Sequence, residues 1–166
     1  FVCAKALDKN IMPDKIKDSA KFLILCDLQD PGNVGTIIRV SDAVGIAGVY
    51  LCGCCDIYNP KTVRSTMGSM FRVPFECGMS FEEVIDLMKK RGVITYASVI
   101  DPSAQSLRDT EFEPSCAVVI GNEGSGLTQS ETALCDKRIT IKMKGNINSL
   151  NAASAAGIFL WELTKR

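Results

Sequence analysis

Residues 22–45 have the sequence FLILCDLQDPGNVGTIIRVSDAVG, a short apolar run followed by a longer segment with apolar residues at helical spacing. The run at residues 22–26 has the length and aliphatic character of a buried strand. Pro31 starts a turn, Asn33 can cap a helix through its side-chain oxygen, and a helical period continues over residues 34–44. This stretch therefore predicts a strand, a loop and a helix, which is the repeating unit of an α/β fold.

The same alternation continues to the end of the chain. Strands are predicted at residues 22–26, 48–51, 93–99, 116–120 and 138–143, and helices at residues 34–44, 61–70, 81–90, 129–134 and 149–165. Alternating strands and helices predict an α/β fold with a mostly parallel sheet flanked by helices. Such sheets bind ligands in the loops that leave the carboxyl ends of their strands, so these loops are the candidate functional regions.

The composition excludes several kinds of site. The 166 residues are 46% hydrophobic and 23% charged, which is typical of one globular domain. The sequence contains no histidine, so Ser-His-Asp and Cys-His nucleophile pairs and imidazole metal ligands are excluded. With 19 basic and 19 acidic side chains the net charge is +0, which argues against binding nucleic acid through bulk positive charge.

Eight cysteines are present, and the closest group is Cys52, Cys54 and Cys55. This group lacks the paired spacing of a zinc site, so we expect no metal. We expect free thiols in a reducing cytoplasm, with Cys26, Cys52 and Cys116 packed in strands as small apolar residues. No apolar run approaches the roughly 18 residues that cross a bilayer.

The chain starts at Phe1 rather than at Met, and residues 1–20 are rich in charged side chains. We expect this stretch to be a linker or tail belonging to a longer protein, and residues 21–166 to form the domain that carries the site.

The first loop leads to Arg39, four residues after Gly35 on the same side of the predicted helix. The missing Cβ of Gly35 would let another chain or a ligand approach that side. The alternative is a solvated Arg39 paired with Asp42, and from this segment alone the two interpretations are equally supported.

The second loop is AVVIGNEGSGLT, residues 117–128, where a buried strand opens into three glycines and one acid, Glu123. Backbone this open can wrap a nucleoside such as adenosine. The order of the glycines matches neither a Walker loop nor the dinucleotide fingerprint. The alternative is a plain strand-to-helix turn with Thr128 as the helix cap.

The third loop lies within residues 139–163, where a strand ends at Met143 and a helix opens at Ser149. Small residues at the start of this helix allow close packing, and Trp161 and its apolar neighbours supply bulk for a core or a subunit interface. Ser149 and Asn151 could also serve as helix caps alone.

Together the three loops resemble the three motifs of the SpoU branch of the SPOUT RNA methyltransferases, over about residues 21–166. Lys142, within the third motif, stands where that family usually has proline, and it restores a backbone N–H there. Residues 61–75 also resemble a stretch of the ribose-methylating members. The matching motifs are N-x-G-x-x-x-R at Asn33, Gly35 and Arg39, G-N-E-G-x-G-L at residues 121–127, and I-x-M-x-G followed by S-L-N at residues 141–151.

The resemblance implies an α/β domain with a C-terminal deep trefoil knot, the SPOUT fold, acting as a homodimer with its active site near the subunit interface. It implies S-adenosylmethionine as cofactor and methyl transfer to a ribose 2′-hydroxyl of tRNA or rRNA. The cofactor-binding residues that it implies are Ile120, Gly121, Asn122, Gly126, Ile141, Met143 and Leu150. The catalytic and positioning residues that it implies are Asn33, Arg39, Glu123, Ser149 and Asn151.

A guanidinium stays protonated at neutral pH, so our hypothesis is that Arg39 holds a substrate phosphate and the ribose oxygen rather than acting as the base. Glu123 would orient Arg39 or Asn33.

The sequence leaves the choice between rRNA and tRNA as substrate open. We favour rRNA, because residues 61–75 and the truncated start fit family members that carry a separate N-terminal substrate-binding domain. We expect the basic RNA contacts of this chain at Arg39, Lys61, Arg64 and Arg72, and weak RNA binding by these 166 residues alone. The alternatives are a catalytically silent RNA-binding or dimerisation domain of the same fold and a flavodoxin-like nucleotide-binding module.

Overall fold

The computed structural model describes residue 12, residues 19–145 and residues 147–165. Most of the expected tail at residues 1–20 lies outside the described residues. Within the described part, no helix is long and apolar enough to cross a membrane.

Seven strands of the described residues form one parallel sheet in the order β3-β2-β1-β6-β4-β7-β5. They are β1 (Lys21–Cys26), β2 (Gly48–Cys52), β3 (Phe75–Cys77), β4 (Ile94–Ser98), β5 (Gln105–Ser106), β6 (Cys116–Ile120) and β7 (Lys137–Thr140). The helices are α1 (Pro31–Val44), α2 (Pro60–Ser65), α3 (Phe81–Lys90), α4 (Gln129–Leu134) and α5 (Ala152–Thr164). The parallel α/β architecture predicted from the alternation is therefore confirmed.

The inner strand β1 is buried on both faces, because its side chains alternate between two apolar cores. Leu23 and Leu25 belong to the core that includes residues of α1 and α5, such as Ile37 and Leu160. Phe22 and Ile24 belong to the opposite core, which includes residues of α3. The helices thus cover both faces and leave the carboxyl ends of the strands to the loops.

Several predicted boundaries are wrong by a few residues. Helix α1 begins at Pro31, and its cap is Asp30, whose side chain accepts a hydrogen bond from Gly32 N at 2.9 Å; Asn33 lies inside the helix. The last helix begins at Ala152 after its cap Asn151, so Ser149 is not a cap.

The remaining differences concern the ends of short elements. Strand β7 ends at Thr140 rather than at Met143. Helix α2 ends at Ser65, and a 3₁₀ turn at Ser69–Phe71 follows in place of a helix continuing to residue 70. The strands β3 and β5 were not predicted, because three and two residues are too few to show an alternating pattern.

Gly35 is a point of close packing between α1 and α2. A Cβ at this position would lie 2.6 Å from the carbonyl oxygen of Thr62 and 2.6 Å from Cβ of Ser65. The bare face of Gly35 is therefore occupied by the chain's own helix, and not by a ligand or another chain as the sequence suggested.

Candidate active site

The three loops meet at the carboxyl edge of the sheet through one chain of side-chain hydrogen bonds. Asn151 Nδ2 donates to Asn33 Oδ1 at 3.0 Å, and Asn33 Nδ2 donates to Glu123 Oε1 at 3.2 Å. These residues come from the start of α5, from the first turn of α1 and from the loop after β6. The structure therefore brings together one polar residue from each of the three motifs.

Glu123 is fixed by the backbone of the loop after β1. Its Oε1 accepts from Asp30 N at 3.0 Å, and its Oε2 accepts from Gln29 N at 3.1 Å. Partial burial opposes ionisation, but the N–H groups of Asp30 and Gln29 and the Asn33 amide outweigh it and hold the pKa of the Glu123 carboxyl below its ordinary value. Glu123 is therefore an anionic acceptor at neutral pH, and it orients Asn33.

Asn151 serves both the helix and the site. Its Oδ1 caps α5 by accepting from Ala153 N at 2.9 Å and from Ser154 N at 3.2 Å. An asparagine amide carries two N–H donors, and in Asn151 one of them binds Asn33. Since the described residues offer the other N–H no partner, it can donate to a substrate.

The loop after β6 is shaped by Gly121 and Asn122. A Cβ on Gly121 would lie 2.5 Å from the carbonyl carbon of Gly126, so only glycine allows the loop to close on itself. Asn122 Oδ1 accepts from Gly124 N at 2.9 Å, while its Nδ2 donates to the carbonyl of Asp27 at 2.8 Å. The loop is thereby attached to the loop after β1, and Thr128 caps α4 as the alternative interpretation expected.

The other predicted cofactor residues lie around the same edge. Strand β6 ends at the buried Ile120. Ile141, Met143 and Leu150 are half-buried and lie in the segment between β7 and α5, where Ile141 packs against the core. Ser149 is exposed, and the described part of the chain holds no hydrogen-bond partner for its hydroxyl.

Arg39 is not part of the hydrogen-bond chain. It is exposed on α1, and within the described ranges it has neither a hydrogen bond nor an ion pair. Its expected alternative partner, Asp42, binds Arg72 instead, with Nη2 to Oδ2 at 2.6 Å. Glu123 contacts Asn33 and not Arg39, which decides between the two roles that the sequence left open for Glu123.

A groove of about 750 Å³ adjoins the hydrogen-bond chain. It lies between α1, α2 and α5, with Asn33 and Asn151 among its lining residues. Lys61 and Asp30, which also line it, form an ion pair at 2.8 Å. Trp161 lines the same groove and is 67% exposed, which is unusual for the largest apolar side chain.

Sequence reasoning missed the backbone N–H groups of Gln29 and Asp30 as partners of Glu123. Nothing in the residue types marks them, because a backbone donor carries no side-chain signal. The hydrogen bond from Gly124 N to Asn122 Oδ1, in contrast, could have been predicted. An Asn two residues before a glycine is typical of a turn in which the side chain accepts the backbone N–H.

The cysteines are thiols without disulfide bonds in the described part of the chain. Cys26, Cys52 and Cys116 are buried in strands as predicted, and burial raises the pKa of each thiol. Among the described residues, the one group that could hold a metal ion is Cys26, Asp27 and Glu131, rather than Cys52, Cys54 and Cys55. Cys26 Sγ donates to Glu131 Oε1 at 3.2 Å.

Comparison with known proteins shows which family the sequence of this chain matches. A family profile described as the SpoU rRNA Methylase family matches residues 20–161. A 23S rRNA (uridine(2479)-2'-O)-methyltransferase of Streptomyces viridochromogenes is 37% identical over 141 residues, covering 82% of this chain and 49% of that protein. A 23S rRNA (guanosine(2553)-2'-O)-methyltransferase of Bacillus subtilis is 35% identical over 154 residues, covering 92% of this chain and 61% of that protein. The chain thus spans about half to three fifths of the length of these relatives.

A solved structure gives the same result for the fold. The SpoU methyltransferase AviRb from Streptomyces viridochromogenes, in complex with the cofactor AdoMet, superposes with a TM-score of 0.82 at 33% sequence identity. The match covers 90% of this chain and 61% of that chain.

Proposed function

Because the chain belongs to the SpoU rRNA methylase family, we propose that it transfers a methyl group from S-adenosylmethionine to a ribose 2′-hydroxyl of RNA. The observation that carries the proposal is the hydrogen-bond chain Asn151–Asn33–Glu123, which joins the three family motifs at one edge of the sheet. The two relatives named above are 23S rRNA 2'-O-methyltransferases, which supports rRNA rather than tRNA as the substrate.

The two loops that would hold the cofactor fit S-adenosylmethionine chemically. Strands β6 and β7 flank β4, so the loops that follow them start about 10 Å apart, at roughly 4.8 Å per strand. The glycine-rich loop at residues 121–126 offers backbone donors and acceptors, and half-buried Ile141, Met143 and Leu150 offer apolar contacts. A nucleoside with an apolar base face and polar ring edges suits such a surface. When bound there, S-adenosylmethionine supplies an electrophilic methyl group on a sulfonium.

The trefoil knot is part of the proposal. After β7 the chain returns past β4 and β6, and α5 packs against β6, β1 and α1. Asn151, at the end of the returning chain, is joined to Glu123 in the loop after β6 by hydrogen bonds through Asn33, which supports a threaded path despite the general rarity of knots.

We also propose a homodimer. Trp161 and Ile158 on α5 are 67% and 40% exposed and line the groove beside α1. Apolar side chains grouped in this way are typical of protein interfaces, and a second copy is the partner that the family resemblance implies. The cytoplasm is the proposed location, since ribosomal RNA is the proposed substrate and the described thiols are free.

In the proposed mechanism, Arg39 binds a phosphate of the RNA and the ribose oxygen. Its positive charge stabilises this oxygen while the new O–CH3 bond forms and the hydroxyl proton passes to water. Asn33 and Asn151 orient the ribose through their amides, and Glu123 fixes Asn33. Ser149 is exposed two residues before Asn151, and in this mechanism it contacts the substrate or the cofactor.

The role of Arg39 predicts the behaviour of Arg39→Lys. A lysine keeps the charge but loses the planar fork of donors, so we expect the rate of methyl transfer to fall at least about tenfold at unchanged affinity for S-adenosylmethionine. Single-turnover kinetics and calorimetry measure the two quantities. A variant that keeps most of the rate with unchanged RNA binding would show that the geometry of Arg39 is unimportant.

The test of the proposed function is incorporation of labelled methyl groups from S-adenosylmethionine into rRNA and tRNA by the complete protein. We expect labelled rRNA, and loss of the label with Asn151→Ala. A silent domain of the same fold would leave both RNAs unlabelled, and binding of FMN in preference to S-adenosylmethionine would support the flavodoxin-like alternative.

A further inference from the structure

Arg39 shares one side of α1 with Gly35 and Asp42, because spacings of four and three residues return to the same helix face. Both of these residues contact the segment that follows β2. Gly35 packs against Thr62, where an added Cβ would lie 2.6 Å from the carbonyl oxygen. Asp42 Oδ2 accepts from Nε and Nη2 of Arg72 at 2.9 and 2.6 Å. Arg39 therefore lies between two contacts that hold this segment on α1.

Asp42 is also within reach of Arg39, since an acid and a base three residues apart on a helix attract each other. Arg72 binds Oδ2 of that carboxylate, and its hydrogen bond to Asp42 is the main reason why the pKa of Asp42 lies below its ordinary value. Arg39, in contrast, has no ion pair with any residue that the structure describes. Its guanidinium thus keeps its N–H donors for another molecule.

We propose that Arg72 is a positioning residue for methyl transfer, which pairs with Asp42 and so keeps Arg39 free to bind the RNA. The proposal rests on the proposed function of Arg39. Without Arg72, Asp42 would attract Arg39, and the RNA would have to break that pair before the ribose oxygen could be bound. This role replaces the direct RNA contact that the sequence suggested for Arg72.

The expected loss of activity in a variant without Arg72 follows from the solvent exposure of the ion pair. The side chains of Asp42 and Arg72 are 25% and 58% exposed. Partly exposed ion pairs are weak, so diverting Arg39 should lower kcat/KM for RNA by about three- to fivefold rather than abolish methyl transfer.

The experiment compares four variants of the complete protein: Arg72→Gln, Arg72→Lys, Asp42→Asn and the double variant. We expect Arg72→Gln to lower kcat/KM for rRNA at an unchanged Kd for S-adenosylmethionine, and Arg72→Lys to retain activity because it still neutralises Asp42. Asp42→Asn should stay close to the wild type, and adding it to Arg72→Gln should restore activity, since no carboxylate then remains to capture Arg39.

The double variant separates this role from two others. If Arg72 bound RNA directly, Asp42→Asn would not restore activity. If the ion pair only held the fold together, Asp42→Asn alone would be as impaired as Arg72→Gln. Either result would overturn the proposal, as would equal activity of Arg72→Gln and the wild type.

A crystal structure of Arg72→Gln gives a readout that does not depend on activity. We expect a guanidinium nitrogen of Arg39 within 4 Å of an Asp42 carboxylate oxygen. An Arg39 that stays apart from Asp42 would overturn the proposal that Asp42 captures Arg39 when Arg72 is lost. Absence of methyl transfer by the wild type would overturn the proposed function itself, whereas an active wild type with an unaffected Arg72→Gln variant would overturn this inference alone.

Discussion

Glu123 shows how one side chain connects the loops of this site. Its two carboxylate oxygens accept three hydrogen bonds from protein groups, two of them backbone N–H groups of the loop after β1. A carboxylate with its acceptors used in this way is poorly placed to exchange a proton with a substrate. We therefore expect Glu123 to act through Asn33.

The variant Glu123→Gln tests this role. The glutamine side chain replaces one carboxylate oxygen of Glu123 with an NH2 group, which would face an N–H donor of Gln29, Asp30 or Asn33. We therefore expect the rate of methyl transfer to fall at least about 100-fold. The free energy of unfolding should fall by about 1 kcal/mol at neutral pH, a small value because the partly buried carboxylate is still mostly exposed. The exposed Glu111→Gln is the matched control and should change neither quantity.

The same variant has a predictable pH dependence. The pKa of Glu123 is lower in the folded state, so its contribution to stability is complete above the ordinary glutamate pKa and is lost as the pH falls through the lowered folded value. The difference in unfolding free energy between the wild type and Glu123→Gln should be constant from pH 6 to 8 and should narrow below about pH 4. Urea titrations at several pH values measure it, and a gap that widens in acid would contradict the assignment.

The residues of the site were largely predictable, but their partners were not. Asn33 fitted a helix cap in the sequence, yet Asp30, three residues earlier, takes that role and frees the Asn33 amide. A sequence shows which side chains can cap a helix, whereas the choice between two such residues depends on the neighbouring loop.

At the scale of elements, the predictable features are those with a local cause. The helix α3 has the predicted bounds because Ser80 and Glu83 form a capping box at its start and its apolar face is periodic. The helix α5 begins three residues later than predicted, because Asn151 binds Asn33 across the site as well as capping the helix.

The loop after β6 yields a prediction about Gly121→Ala. The added Cβ would lie 2.5 Å from backbone atoms of Gly126 and Leu127, so the loop would have to open. We expect the affinity for S-adenosylmethionine to fall at least about tenfold by calorimetry, because the loop's backbone groups would no longer face the ligand.

Gly124→Ala is the matched control in the same loop. Its added Cβ would come no closer than 3.5 Å, to the Asn122 side chain, and so the loop can keep its shape. Equal affinities of Gly121→Ala and the wild type would show that the closed loop is not needed for the cofactor.

At the scale of the whole molecule, the parallel sheet followed from the alternation of strands and helices, but its strand order did not. Strand β6 pairs with both β1 and β4, and β7 lies between β4 and β5. Such pairings join residues far apart in the chain and leave no local pattern. The path from β7 back to α5, which the proposed knot requires, is likewise set by tertiary contacts.

The exposed apolar side chains of α5 predict a homodimer. Trp161→Glu places a charge in the proposed interface, so we expect the dimer to dissociate to monomers in sedimentation experiments. Ile100→Glu is the control, because Ile100 is 74% exposed and does not line the groove. A wild type that is monomeric at micromolar concentration, or a Trp161→Glu variant that stays dimeric, would contradict the proposed interface.

Methylation of a ribose 2′-hydroxyl of rRNA is the proposed activity of this protein. Mass spectrometry of nucleosides from rRNA incubated with the complete protein and isotopically labelled S-adenosylmethionine tests it most directly. The geometry of Asn33, Arg39 and Asn151 leads us to expect the label in a 2′-O-methylnucleoside, with its base unmodified. A label carried on a nucleobase would contradict ribose methylation.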